Sequence, residues 1–140
     1  MTDLEIAKKV LDGHSIALVK DGEVITSDKR GIAPLADYLS EGKTFEGFSA
    51  ADLVVGKAAA MLFVKAGVKS VYAKVISQSG KTYLESHGAE VTFETLTEKI
   101  MNRLKTDICP MEKTVSDIDD FEQGFIALKN KLDELRNNKK

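Results

Sequence analysis

Residues 49–67 read SAADLVVGKAAAMLFVKAG. From Leu53 to Val64 this run is apolar on almost every side, and Lys57 is its one charge. The pattern predicts a long helix from Ser49 to about Ala66. Ser49 with Asp52 forms a Ser-x-x-acid start, in which the hydroxyl caps the first turn. Gly67 then closes the helix. A helix that is apolar all round is buried on most sides. Two residues sit awkwardly in it. Gly56 in mid-helix costs about 1 kcal/mol against Ala, and close approach by another backbone or by a ligand would justify it. Lys57 projects, at about 100° per residue, between Leu53, Met61 and Val64. Either its stem packs while the amine reaches water, or the amine is held for a carboxylate or an anionic ligand.

On the N-terminal side, residues 3–12 place Leu4, Ala7, Val10 and Leu11 at helical spacing, and Gly13 stops that helix. SIALVK and EVITS flank Asp21-Gly22, a pair suited to the positive φ angles of a type I′ turn, so a β-hairpin is expected. A short helix over 32–41 has Pro34 in its first turn and Gly42 at its end. Phe45 and Phe48 follow on a loop, as core residues or as pocket walls. Beyond Gly67, residues 70–77 read as a strand, 79–88 as a helix and 90–94 as a second strand. Thr95 with Glu98 opens a helix over 96–104, and Pro110 starts a turn over 109–115. Ser116 with Asp119 then caps a long helix carrying Ile118, Phe121, Phe125, Leu128, Leu132 and Leu135 as one apolar stripe. That stripe docks on the domain's own sheet or, as the alternative, forms a subunit interface in a homo-oligomer. The succession of helices and strands argues for α/β layers on a mixed sheet.

The composition narrows the function. Lys plus Arg number 20 and Asp plus Glu 22, giving a net charge of -2 over 140 residues. That balance carries no general field for nucleic acid or an anionic membrane, so neither is expected as a partner. The longest wholly apolar run, Ala58 to Val64, is far short of the roughly 20 residues of a spanning helix. The N-terminus has no secretion-signal pattern. One cysteine excludes an intrachain disulfide and fits a cytoplasmic protein. With two prolines and no linker or repeat, residues 1–140 read as one domain.

Cys109-Pro110-Met111-Glu112 places a thiol at a helix N-cap and a carboxylate one turn in. Free N–H groups at a helix start favour a thiolate, which makes Cys109 a candidate nucleophile. Its alternative role is as a packed, inert thiol beside a capping glutamate. His14 reads as solvated. His87 falls in a last helical turn, where a cation is favoured.

The order of elements resembles the cytidine-deaminase-like fold. In that fold two helix N-termini, one with His (or Cys)-x-Glu and one with Pro-Cys-x-x-Cys, hold a zinc ion. More closely, Asp-x-x-x-Gly-Lys-Ala-Ala-Ala (52–60) paired with Cys-Pro-Met-Glu-Lys (109–113) resembles a small bacterial family of unknown function assigned to this fold. The resemblance covers nearly the whole chain. It implies a three-layer α/β/α domain with a mixed sheet, an N-terminal β-hairpin and a long C-terminal helix. Carried over, Cys109 and Glu112 match the Cys-x-x-Cys positions, and Asp52 falls near the His/Cys position. Zinc deamination needs three His or Cys ligands and a glutamate. Cys109 alone answers to that set, so no metal and no other cofactor is expected.

Two functions remain. In the first, a zinc-free pocket between two helix N-termini binds a small nucleotide-like or anionic ligand through Ser49, Asp52, Gly56 and Lys57. In the second, an enzyme uses Cys109 as nucleophile with Lys57, Glu112 and Asp52 in support. A degenerate metal hydrolase and a subunit acting through the C-terminal helix are further alternatives.

Overall fold

Asp21 and Gly22 both take positive φ, 48° and 88°, and the turn they make joins β1 (Ile16–Lys20) to β2 (Glu23–Ser27) as the expected hairpin. The computed structural model describes residues 1–29, 31–102 and 106–137. Before the hairpin lies α1 (Asp3–Val10), closed at its start by a capping box between Thr2 and Glu5. After it comes α2 (Ala33–Ser40), with Pro34 in its first turn.

The decisive stretch is a strand and a helix, not one helix. β3 covers Ser49–Val55 and α3 covers Lys57–Ala66, with Gly56 as the helix N-cap. The reason lies in burial. β3 is the central strand, paired antiparallel with β1 and parallel with β4 (Ser70–Ser77). Residues 49–52 are buried on both faces and show no alternation, and the exposed Leu53 and Val54 extend the apolar run into that of the following helix. The β-branched pair Val54-Val55 is the local signal for the strand.

β4 and α4 (Gln78–Ser86) lie where expected. The expected strand at 90–94 runs on as β5 (Glu90–Thr97), which pairs parallel with β4. The helix expected over 96–104 is therefore not formed where it can be followed. Thr95 to Thr97 are strand, Met101 bridges Ile108, and residues 103–105 lie outside the described residues. α5 (Pro110–Val115) follows Cys109. α6 (Phe121–Asn137) begins later than expected. Its capping carboxylate is Asp120, which accepts from Glu122 N–H at 3.0 Å, while the Ser116 hydroxyl donates to the Lys113 carbonyl.

The sheet order is β2-β1-β3-β4-β5. α1 covers one face, sealing Ala17, Val19, Ala51 and Tyr72 beneath Ala7 and Leu11. The remaining helices gather on the other face around α3, which contacts α2, α4, α5 and α6. The result is the three-layer α/β/α arrangement that the resemblance implied. Phe45 and Phe48 are core residues there, edge-to-face with ring centroids 5.3 Å apart. No described helix is long and apolar enough to cross a membrane.

The C-terminal stripe packs within the chain, but mainly on α3, α5 and α2 rather than on the sheet where it was expected to dock. Gly124 lets the Met61 side chain of α3 approach, since a Cβ there would lie 2.6 Å from Met61 Cε. Leu128 is fully buried in the larger core. Leu128→Ala should therefore cost about 2–5 kcal/mol of folding stability, read from urea unfolding midpoints. A cost below about 0.5 kcal/mol, as at an ordinary surface site, would show that the stripe does not hold this core.

Candidate functional site

The start of α3 is where distant parts of the chain converge. Its first N–H groups need acceptors, and they find them 55 and 54 residues away. Lys57 N–H donates to Glu112 Oε1 and Ala58 N–H to Glu112 Oε2, both at 2.8 Å. The carboxylate from α5 thus caps α3 with both oxygens. Gly56 makes this possible: a Cβ at that position would lie 2.4 Å from the Glu112 carboxyl carbon. A close approach at Gly56 was expected from another backbone or a ligand, and the group found there is instead the Glu112 side chain. Gly80 on α4 is similarly close-set, since its Cβ would meet the Gly56 carbonyl at 3.0 Å.

The Lys57 side chain turns away from this cap. Its amine donates to the Ser116 carbonyl and to Asp119 Oδ1, each at 3.4 Å. The side chain is only 14% exposed, whereas that of Asp119 is 99% exposed. Asp119 is nevertheless pinned, because the Tyr83 hydroxyl donates to its carbonyl at 2.6 Å.

Lys57 lines a cleft of about 690 Å³. Three of its lining residues, Lys57, Gln78 and Glu98, each lie just beyond the carboxyl end of one of the parallel strands β3, β4 and β5. That end is where open α/β sheets take ligands. One wall is a row of hydroxyls on α4, from Ser79, Thr82 and Ser86. Tyr83 and His87 complete it, with rings stacked 4.3 Å apart. His87 Nδ1 lies 2.9 Å from the Tyr83 carbonyl oxygen. A carbonyl only accepts, so this bond requires the proton on Nδ1, and in the neutral ring Nε2 is then an acceptor.

Of the residues expected to bind a ligand, Lys57 alone lines the cleft. Ser49 is a buried strand residue whose hydroxyl accepts from Ser70 at 2.8 Å, so it is not a helix cap. Asp52 is also on β3, not in a first helical turn, and its Oδ1 accepts from the Leu53 N–H at 2.8 Å. Gly56 is buried beneath Glu112. Cys109 is half-buried against the core, and its backbone N–H donates to the Ile100 carbonyl. Among the described hydrogen bonds, neither Lys57 nor Glu112 engages the thiol.

These positions do not suit zinc. Both Glu112 oxygens are taken by N–H donors, and Asp52 is buried in the sheet. Among the described residues no three His, Cys, Asp or Glu side chains come together as a ligand set. The cleft residues on α4 were missed because a polar row at helical spacing reads as a solvated face. His87, assigned to helix capping, is the one residue there with a visible chemical signal.

The sequence profile of a domain of unknown function, DUF1893, matches residues 6–132. The chain belongs to the DUF1893 family. A crystal structure of a DUF1893 family protein from Thermotoga maritima is similar over 94% of this chain and 91% of that one, with a TM-score of 0.84 and 25% identity. The dCMP deaminase of the cyanophage S-TIM5 in apo form is more loosely similar, with a TM-score of 0.48 and 17% identity over 64% of this chain and 94% of that one. No curated protein matches significantly. This DUF1893 member sets a carboxylate, Glu112, on the first N–H groups of α3.

Asp52 has a separate consequence. Burial pushes its carboxyl up to about 8, against the opposing pull of hydrogen bonds from Leu53 and Val54 N–H. In the unfolded chain it titrates near 4. Between these values the native state keeps a proton that the unfolded chain has released, so this residue's stabilising contribution is complete below about pH 4 and is lost as pH rises towards 8. Asp52→Asn removes that dependence and retains an acceptor for Leu53. The variant's advantage over the parent should grow between pH 5 and 8, approaching about 1.4 kcal/mol per pH unit, and then level off. A difference in urea midpoints that stays flat across that range would contradict the assignment.

Proposed function

We propose that the chain binds a small nucleotide-like or otherwise anionic molecule in the cleft beyond β3, β4 and β5, with the Lys57 amine as its cation. The observation that carries this reading is the Lys57 amine itself. It lies at the wall of a cleft of ligand size, largely withdrawn from water, and its contacts at 3.4 Å are long for charge-assisted bonds. A ligand oxygen can replace them with shorter ones. The hydroxyls of Ser79, Thr82 and Ser86 and the Gln78 amide supply donors and acceptors for the rest of the molecule. The α3 N-terminus takes no part, because Glu112 already fills it.

The cysteine-centred alternative needs Lys57 or Glu112 at the thiol. The amine of the first and both oxygens of the second are hydrogen-bonded elsewhere. The binding reading leaves the Glu112 cap intact and asks only that the Lys57 amine exchange its long contacts for a ligand oxygen.

Inorganic phosphate and nucleoside monophosphates test it. They should raise the thermal midpoint in a concentration-dependent way. Lys57→Met should weaken the Kd by about 10–100-fold, the equivalent of one charge-assisted hydrogen bond. Cys109→Ser should leave it within about threefold, less than 1 kcal/mol. Binding that survives Lys57→Met unchanged would defeat the reading.

A further inference from the structure

We propose that the ligand of this cleft is amphoteric: a small molecule with an anionic group for Lys57 and a protonated nitrogen for Asp119 and Glu98. This inference rests on the cleft being the ligand site, and it adds the chemical class of the ligand.

The argument starts from the charges that line the cleft. Lys57 is the cation, and Asp119 and Glu98 are the two carboxylates. Without a ligand the Lys57 amine is paired with Asp119. A ligand bearing only an anion takes the third N–H of Lys57 or replaces Asp119 there, and either way it brings a further negative charge beside Asp119 and Glu98. A ligand bearing only a cation can take Asp119, but it leaves a largely buried ammonium with, among the described residues, the Ser116 carbonyl as acceptor. Each single-sign ligand therefore faces at least one cleft charge of its own sign. A molecule carrying both signs meets an opposite charge at each end.

The two ends of the pair also set an orientation. Lys57 is 14% exposed and Asp119 99% exposed, so the anionic group points inward and the nitrogen sits at the rim. Asp119 is fit to receive it because the Tyr83 hydroxyl holds its backbone in place. The polar wall of α4 adds the Thr82 and Ser86 hydroxyl oxygens as acceptors. Acceptors thus outnumber cations around the outer part of the cleft, which suits the several N–H donors of an ammonium.

Three related probes separate the possibilities: phosphoethanolamine, ethyl phosphate, which lacks the amine, and ethanolamine, which lacks the phosphate. They are titrated into the full chain by calorimetry at neutral pH and low salt. Phosphoethanolamine should bind at least about tenfold more tightly than either of the others, as an added charge-assisted bond implies. In Asp119→Asn its lead over ethyl phosphate should shrink to less than about threefold. That residue is exposed, so the variant tests charge without disturbing the core. Ethyl phosphate binding as tightly as phosphoethanolamine overturns the amphoteric proposal and leaves the anion site standing. Ethanolamine binding most tightly, or none of the three binding, overturns both.

Discussion

The bidentate grip of Glu112 on the first two N–H groups of α3 is the contact around which the helical layer is organised. It joins residues more than fifty positions apart and seats α5 on the start of α3. It needs Gly56, where any Cβ would collide with the carboxylate, and the same junction needs Gly80, which brings α4 against the Gly56 backbone. A helix N-terminus left without acceptors destabilises the fold that contains it. Here a charged acceptor from another helix meets that need and complements the helix dipole.

This cap also positions the cleft. Lys57 is the first residue of α3, so fixing its backbone N–H fixes the origin of its side chain. The side chain then runs to Ser116 and Asp119, on the segment between α5 and α6. The chain thus uses one residue twice: the main chain anchors α5, and the side chain faces the cleft. Because of that division, the proposed ligand site rests on side chains rather than on the dipole of α3. The dipole is already neutralised by an internal anion, and the free chemistry lies on Lys57, on α4 and at the tips of the parallel strands.

Much of the architecture was legible because local rules and tertiary structure agree. Asp21-Gly22 specified the hairpin through its positive φ angles, and the branched residues of 70–77 specified β4. The Leu128 stripe marked a helix that buries its face in the chain's own core. The stretch 49–66 misled because the first half of the central strand, 49–52, is buried on both faces and has no period of its own. Its apolar run joined that of α3, and Ser49 with Asp52 imitated a capping box. Gly56 was the clue that remained: a glycine with a predicted cost pointed to a close approach, and the approach is real. Glu112 was singled out as well, but for a pocket, because no local pattern shows which distant helix a carboxylate will cap. The cleft itself was the least legible feature. Ser79, Thr82 and Ser86 look like any solvated helical face until the strand ends bring Lys57 and Glu98 beside them.

The coupling between Gly56 and Glu112 is most directly measured by a double-mutant cycle on folding stability. Gly56→Ala should cost more than about 2 kcal/mol in the parent, because the added methyl overpacks against the carboxylate or expels it. In a Glu112→Ala background the obstructing group is gone, and the same substitution should cost less than about 1 kcal/mol, giving a coupling well above the error expected for independent sites. Additive costs would show that Gly56 is not held open for Glu112, and the account of the α3 N-terminus would fall.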